Sequence, residues 1–337
     1  MVQDKYDAGS LDDLTEDDWD LVFDILETVP PSIAEIEQLD LCHTYEDLVV
    51  AAELGDLDIP ATDFTTFYHP DYCLCHTYTP AEYPVIKNPG ASRRSDNIYM
   101  IFDAMPEDYL PYETGIGVRL QIHEPGYKSS PQENGISLSA GSLTWVGATK
   151  NVLERLPAPH GTCQPGISGL TIEECRYAAL VKLTVTECGC INFMLDNYII
   201  DEFVNEAKSV AACATEEEWA CAFGVETELD TEAVCSLNCS ETYFDMSSTS
   251  TKWPTRSYAA SFAASETADG NPLDVDEATT LLRDGYAAMT LYYESLNLRV
   301  TTDTKAMEFP SFIAQLGGRC SIDPGVVVYL MLRGPCR

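Results

Sequence analysis

Residues 163–190, CQPGISGLTIEECRYAALVKLTVTECGC, and residues 213–239, CATEEEWACAFGVETELDTEAVCSLNC, decide the fold. Between them they carry Cys163, Cys175, Cys188, Cys190, Cys213, Cys221, Cys235 and Cys239, spaced C-x11-C-x12-C-x-C-x22-C-x7-C-x13-C-x3-C. An even-numbered block this dense implies a disulfide framework, and disulfides persist in oxidising compartments. That places the chain outside the cytosol and favours an extracellular binding or gating module over a metabolic enzyme. Zinc is the weaker reading. Cys73-x-Cys75 and Cys188-x-Cys190 have short spacings, but Cys-x7-Cys and Cys-x3-Cys make poor zinc knuckles. No metal or cofactor is expected.

The chain has 337 residues, 45% of them hydrophobic, long enough for one large domain or two ordinary ones. Its net charge is −36, and residues 1–64 hold 19 acids against the single base Lys5. Such a surface repels nucleic-acid phosphates and anionic membranes and attracts cations, basic peptides or protons. No stretch approaches the ~20 apolar residues of a membrane span, and the acidic N-terminus is not a signal peptide. Export chemistry without an export signal leads to the expectation that the sequence is part of a longer protein.

Residues 10–57 read as helical, with one apolar cluster from Trp19 to Leu26, another from Ile33 to Leu41, and Pro30-Pro31 between them. Residues 60–160 read as strand-rich, with β-prone runs at 97–102, 116–123 and 142–148 separated by Pro/Gly turns. Thr171/Glu174 and Thr215/Glu218 have capping-box spacing and predict two helix starts. Ser247 to Ser265 reads as a connection, Asp274 to Met289 as a helix and Leu291 to Val300 as a strand. Enzyme signatures are missing: His43, His69, His76, His123 and His160 include no H-E-x-x-H, and there is no G-x-S-x-G, P-loop or G-x-G-x-x-G.

Several runs, in order, resemble the extracellular domain of the degenerin / epithelial sodium channel family, which includes the acid-sensing channels. Tyr72 to Thr79 (YCLCHTYT) stands where that family has G-x-C-Y-T-F-N. Gly117 to Pro125 (GVRLQIHEP) resembles its strand ending in I-H. Arg155 to Cys163 (RLPAPHGTC) resembles R-L-P-x-P-[YW]-G-x-C, and Trp253-Pro254 its W-P-S. Tyr292 to Gly318 is similar to its last palm strand and the two glycines before the second membrane helix.

The resemblance implies an α+β, hand-like ectodomain: a mixed β-sheet palm, a helical finger and a disulfide-stapled helical thumb. It divides the chain into an acidic finger-like region (1–64), a palm and β-ball region (65–162), the thumb (163–253), a connection with the returning palm strand (254–318) and an atypical tail in place of the second membrane helix (319–337). It implies the nested pairs Cys163–Cys239, Cys175–Cys235, Cys188–Cys221 and Cys190–Cys213. A fifth thumb rung of the family falls on Ala179 and Ala233, absent at both ends; a finger pair falls on Ala52 and Ile59. Cys42, Cys73, Cys75, Cys320 and Cys336 have no implied partner, with Cys73–Cys75 and Cys42 to either left open.

His160 takes the aromatic position at which the family couples thumb to membrane helix. His160 and Trp253 are the candidate gating-coupling residues. Glu294 and Asn297 follow the family's E-x-L-N, where a structural role outweighs ion binding. Glu173, Glu174, Glu187, Glu216, Glu217 and Glu218 are thumb acids with no motif tying one to proton sensing. The implied function is the extracellular gating domain of an amiloride-sensitive-type sodium channel, gated by ligand, proton or force and lacking the pore in this piece. Its partners would be sodium ions, homo- or hetero-trimer subunits and an extracellular ligand or protons, with no nucleic acid. Its place would be the extracellular side of the plasma membrane. The alternative is a soluble secreted binding protein that keeps the fold without channel activity.

Overall fold

The computed structural model describes residues 42–69, 72–91, 96–109, 114–127, 130–163, 171–192, 195, 210–229, 235, 237–265, 274–305, 311 and 313–315. In chain order the elements are α1 (Tyr45–Leu48), β1 (Val49–Leu54), β2 (Leu57–Asp58), β3 (Phe64–His69), β4 (Cys73–Tyr78), β5 (Ile98–Asp103), β6 (Gly117–Leu120), α2 (Pro131–Asn134), β7 (Ile136–Ser139), β8 (Ser142–Glu154), α3 (Ile172–Cys188), α4 (Glu216–Glu228), β9 (Ser240–Lys252), α5 (Arg256–Ser265), α6 (Val275–Gly285), β10 (Tyr286–Tyr293) and β11 (Arg299–Thr302).

Seven strands form one mixed sheet. β8 carries β9 along one side; on its other side β10 and then β11 run parallel to it. β5, β1 and β2 continue the sheet from β10, all antiparallel. The hairpins β3–β4 and β6–β7 stand apart from it. The central strands are buried on both faces, and their alternation sorts the core into two layers. Met100, Phe102, Ala287 and Met289 pack to one side with Leu138 and Val146. Ile101 and Ala288 pack to the other with Trp253, Ala259 and Leu282, under α5 and α6. Period-two alternation requires this division once β5 and β10 are centred in the sheet.

Four expectations from the sequence need correction. Residues 49–54, read as helix, are strand β1, because Val49 to Leu54 pair with Phe102 to Ile98. Among the described residues of that span, helix is confined to 45–48, capped by Thr44 and Asp47. The stretch 247–265, read as a connection, is the second half of β9 followed by α5. Its Ser/Thr residues suit a solvent-exposed edge strand once β8 offers a partner to every residue. The helix read over 274–289 ends at Gly285, and β10 begins at Tyr286. The strand read over 291–300 is interrupted after Tyr293 and resumes as β11, with the Asn297 amide donating to Ser295 Oγ in the turn (3.1 Å). Thus β1 and β2 belong to the sheet although they lie in the span expected as finger-like, and β9 is a sheet edge although it lies in the span expected as thumb. The apolar clusters at 19–41, together with Cys320 and Cys336, lie outside the described residues.

Candidate functional site

Two helices stand on one end of the β8–β9 ribbon. Both begin with a capping box. Thr171 Oγ1 accepts from the Glu174 amide (3.1 Å) and Glu174 Oε2 from the Thr171 amide (2.7 Å). Thr215 and Glu218 do the same for α4. Each box satisfies amides that a helix start leaves without partners. Two of the acids expected in the thumb, Glu174 and Glu218, therefore serve as caps. The Ala214 and Thr215 amides hold the Glu218 carboxyl below its ordinary range. Glu187, Glu216 and Glu217 face solvent.

Tyr177, Leu180, Val181 and Thr184 make the buried stripe of α3, and Trp219, Ala222 and Val225 that of α4. This is the spacing that puts side chains on one helix face. The helices are joined by Cys188–Cys221, and Arg176 pairs with Glu226 across them (3.0 Å). Cys175–Cys235 and Cys190–Cys213 tie their flanks, and Cys163–Cys239 closes the base. Ala179, where the resemblance places one end of a fifth rung, is buried.

The base grips the ribbon. The Arg155 amide donates to the Cys239 carbonyl (2.7 Å). Its guanidinium donates to the Asn238 carbonyl (3.0 Å) and pairs with Glu241 (2.6 Å). β9 pairs with β8 along its whole length, so the helix pair is joined to the sheet through this ribbon.

Farther along, the ribbon is bonded to the strands on its other side. Ser247 on β9 donates to Glu294 Oε1, which reaches across β8 at Gly147. Asp245 on β9 accepts from Asn151 Nδ2 (2.8 Å) and lies 4.0 Å from Arg299 on β11. Glu154 accepts from Thr302 Oγ1 (3.1 Å), and Lys150 pairs with Glu124. Glu294 is thus a cross-strand hydrogen-bond acceptor. Lys150 also borders a groove of about 290 Å³ with Pro84, Ile86, Tyr293, Leu296, Asn297 and Leu298.

The two coupling candidates lie far apart. His160 is exposed in the turn just past β8, its amide donating to the Pro157 carbonyl (3.1 Å). Trp253 follows β9 at the opposite end of the ribbon, its amide donating to Gly141 O (2.9 Å). The strand between them, Ser142–Glu154, spans about 40 Å at the usual rise per residue. Trp253 is a core residue, its ring tilted against Tyr258 (5.3 Å between centroids) and packed on Ala259 and Leu282. His160 is at the helix-bearing end, and Trp253 is under α5.

The hairpin β3–β4 meets the stapled helices. Cys42 and Cys73 are bonded, and with Tyr68 and Leu74 they pack on Cys190, Cys213 and Trp219. The His69 ring faces Tyr177 edge-on at 6.3 Å. His76 Nδ1 hydrogen-bonds Thr66 Oγ1 (2.9 Å), and its ring meets Tyr45 edge-on at 5.8 Å. Burial pushes the His76 imidazole below its ordinary value, against the His43 carbonyl and the Glu46 charge, which pull it up. Sequence reasoning did not single out His76 or the Ser247–Glu294 bond, since both arise from partners on other strands.

Among the described residues no group of three or more His, Cys, Asp or Glu side chains is placed to hold a metal, and no helix is long and apolar enough to cross a membrane. The family described as amiloride-sensitive sodium channel matches residues 7–326. The chain is 22% identical over 321 residues to the epithelial sodium channel subunit beta of Neoceratodus forsteri, covering 88% of this chain and 46% of that protein. It is 22% identical over 301 residues to subunit delta of Pan troglodytes, covering 84% and 45%. It is 23% identical over 326 residues to the degenerin-like protein unc-105 of Caenorhabditis elegans, covering 89% and 35%. The chain spans less than half the length of these relatives.

Proposed function

Since this chain belongs to the amiloride-sensitive sodium channel family, we propose that it is the extracellular gating part of a sodium channel subunit at the plasma membrane, with the pore in parts of the protein outside this sequence. The stapled helices act as the thumb. A proton, ligand or mechanical load on them and on the acidic finger-like region moves the β8–β9 ribbon and, through it, the palm. One observation carries this reading: Cys163–Cys239 and the Arg155 contacts root the helices on a strand pair bonded to the rest of the sheet at Ser247–Glu294 and Asp245–Arg299. His160, at the rooted end, is the coupling candidate that this reading retains.

Assembly with other subunits, as a trimer, is supported by apolar side chains beside one groove. Val85 is 78% exposed, and Leu296 and Leu298 are about half exposed. Exposed apolar side chains near one another in this way are a feature of contact surfaces.

The test is electrical. Cells expressing the complete coding region that contains this sequence carry an amiloride-blocked sodium current, and Cys163→Ser with Cys239→Ser alters its gating while surface delivery persists. A secreted product with no current would instead establish the soluble binding protein.

A further inference from the structure

The β3–β4 register sets Phe64 opposite Tyr78, Thr66 opposite His76 and Tyr68 opposite Leu74. Residues two apart on a strand share a face, so these six side chains lie on one side of the hairpin. Near the turn, Tyr68 and Leu74 pack on the cluster around Trp219 and so meet α4. Toward the open end the same face meets α1. There the Tyr45 ring sits 4.6 Å from Phe64, tilted by 39°, and 5.8 Å from His76, edge-on. Between α1 and the hairpin lies a cavity of about 230 Å³ walled by Tyr45, Phe64, Leu74 and His76, with the exposed Glu46 in its lining. The three rings are only half-buried, so they keep surface for a ligand.

The cavity is electronegative. Glu46 stands in the first turn of α1, and its charge acts on both the Tyr45 hydroxyl and the His76 imidazole. Asp47 beside it is taken up by the Thr44 cap. Glu46 has no ion-pair partner among the described residues. Burial holds His76 below its ordinary value, so the ring is neutral near pH 7 and adds no opposing charge. Aromatic faces are the negative side of the ring quadrupole, and they attract cations. A small metal ion fits poorly, because it needs several oxygen ligands and the walls here are rings and a leucine. An anion meets only repulsion from Glu46.

We propose that this cavity is a binding site for a small organic cation carrying an alkylammonium head group. The alkyl groups pack on the Tyr45, Phe64 and His76 rings and on Leu74, and Glu46 balances the charge. The volume lies below the ~300–1,000 Å³ of a drug-sized site, which suits a head group rather than a large ligand. Leu74 belongs both to the cavity and to the packing around Trp219, so a bound cation touches the hairpin face that abuts α4. The binding does not depend on the channel reading.

The experiment is a ligand-observed saturation-transfer NMR titration of the whole chain with choline, beside the neutral alcohol in which carbon replaces the quaternary nitrogen. The two probes share one shape, so a preference between them reports charge. Choline binds saturably and about fivefold more tightly than the alcohol. Glu46→Gln lowers choline affinity about threefold and leaves the alcohol unchanged. Phe64→Leu keeps an apolar wall but removes a ring face, and the preference for choline shrinks. Glu46 is exposed, so its variant decides the matter even where Phe64→Leu fails to fold. Equal affinity for the two probes would show an apolar cavity only and overturn the proposal. Absence of saturable choline binding, or choline affinity unchanged by Glu46→Gln, overturns it as well.

Discussion

Glu294 lies over the bare face of Gly147: a Cβ on Gly147 would stand 2.5 Å from both Cγ and Oε1 of Glu294. The missing side chain gives the carboxylate its path across β8 to the Ser247 hydroxyl. One glycine thus lets the residue just past β10 bond β9 directly, although β8 lies between them.

Gly147→Ala displaces the Glu294 side chain and breaks its bond to Ser247. The cost is about 1 kcal/mol, the usual scale for one hydrogen bond. Glu294→Ala should cost a similar amount, and the double variant little more than either, because both remove the same contact. Urea midpoints of the three variants measure this. Full additivity would show that Glu294 and Ser247 are not coupled through Gly147.

Removing a cap should weaken one helix without releasing it. Thr171→Ala and Thr215→Ala each lose an N-cap acceptor, which costs about 1 kcal/mol. The bridges still join the helices, so the loss appears as faster hydrogen exchange in residues 172–175 or 216–219 rather than as global unfolding. Unchanged exchange there would count against the capping boxes.

His76 gives the hairpin a pH dependence of definite sign. Its imidazole is held below the ordinary histidine value of about 6.5 by burial. Between the folded and unfolded values the unfolded chain binds more protons, so stability falls as pH drops below about 6.5 and levels off once the folded form is also protonated. His76→Gln should flatten the urea midpoint against pH through that window. A parallel slope in the variant would assign the effect to other groups. Glu218 acts elsewhere on the scale. Its depressed carboxyl stabilises the start of α4 above the ordinary glutamate range, and that contribution is lost only in stronger acid.

A buried apolar change tests the packing between the helices. Leu180 is 2% exposed in the α3–α4 core. Leu180→Ala leaves a cavity and should cost about 2–5 kcal/mol. A loss below 1 kcal/mol would mean that the bridges alone hold the pair together.

Local signals were legible in the sequence. Thr171/Glu174 and Thr215/Glu218 announce helix starts because a capping box needs only residues three apart. The runs at 97–102 and 142–148 announce strands because both are β-prone and bounded by turns. Features that depend on distant partners were not legible. Val49 to Leu54 becomes a strand only because β5 lies beside it, and the Ser/Thr run of β9 only because β8 does. The partner of Cys73 stayed open among Cys42 and Cys75, since three cysteines on two segments allow several pairs. Glu294 was legible as structural, but its acceptor role needed Ser247, 47 residues away, and a glycine between them.

The central claim is that the helix pair is covalently rooted on the ribbon that runs into the sheet, and peptide mapping without reduction tests it most directly. The account predicts Cys163–Cys239, Cys175–Cys235, Cys188–Cys221 and Cys190–Cys213 as four separate linked pairs. Cys188 or Cys190 recovered as a thiol, or Cys163 joined to any residue other than Cys239, would contradict it.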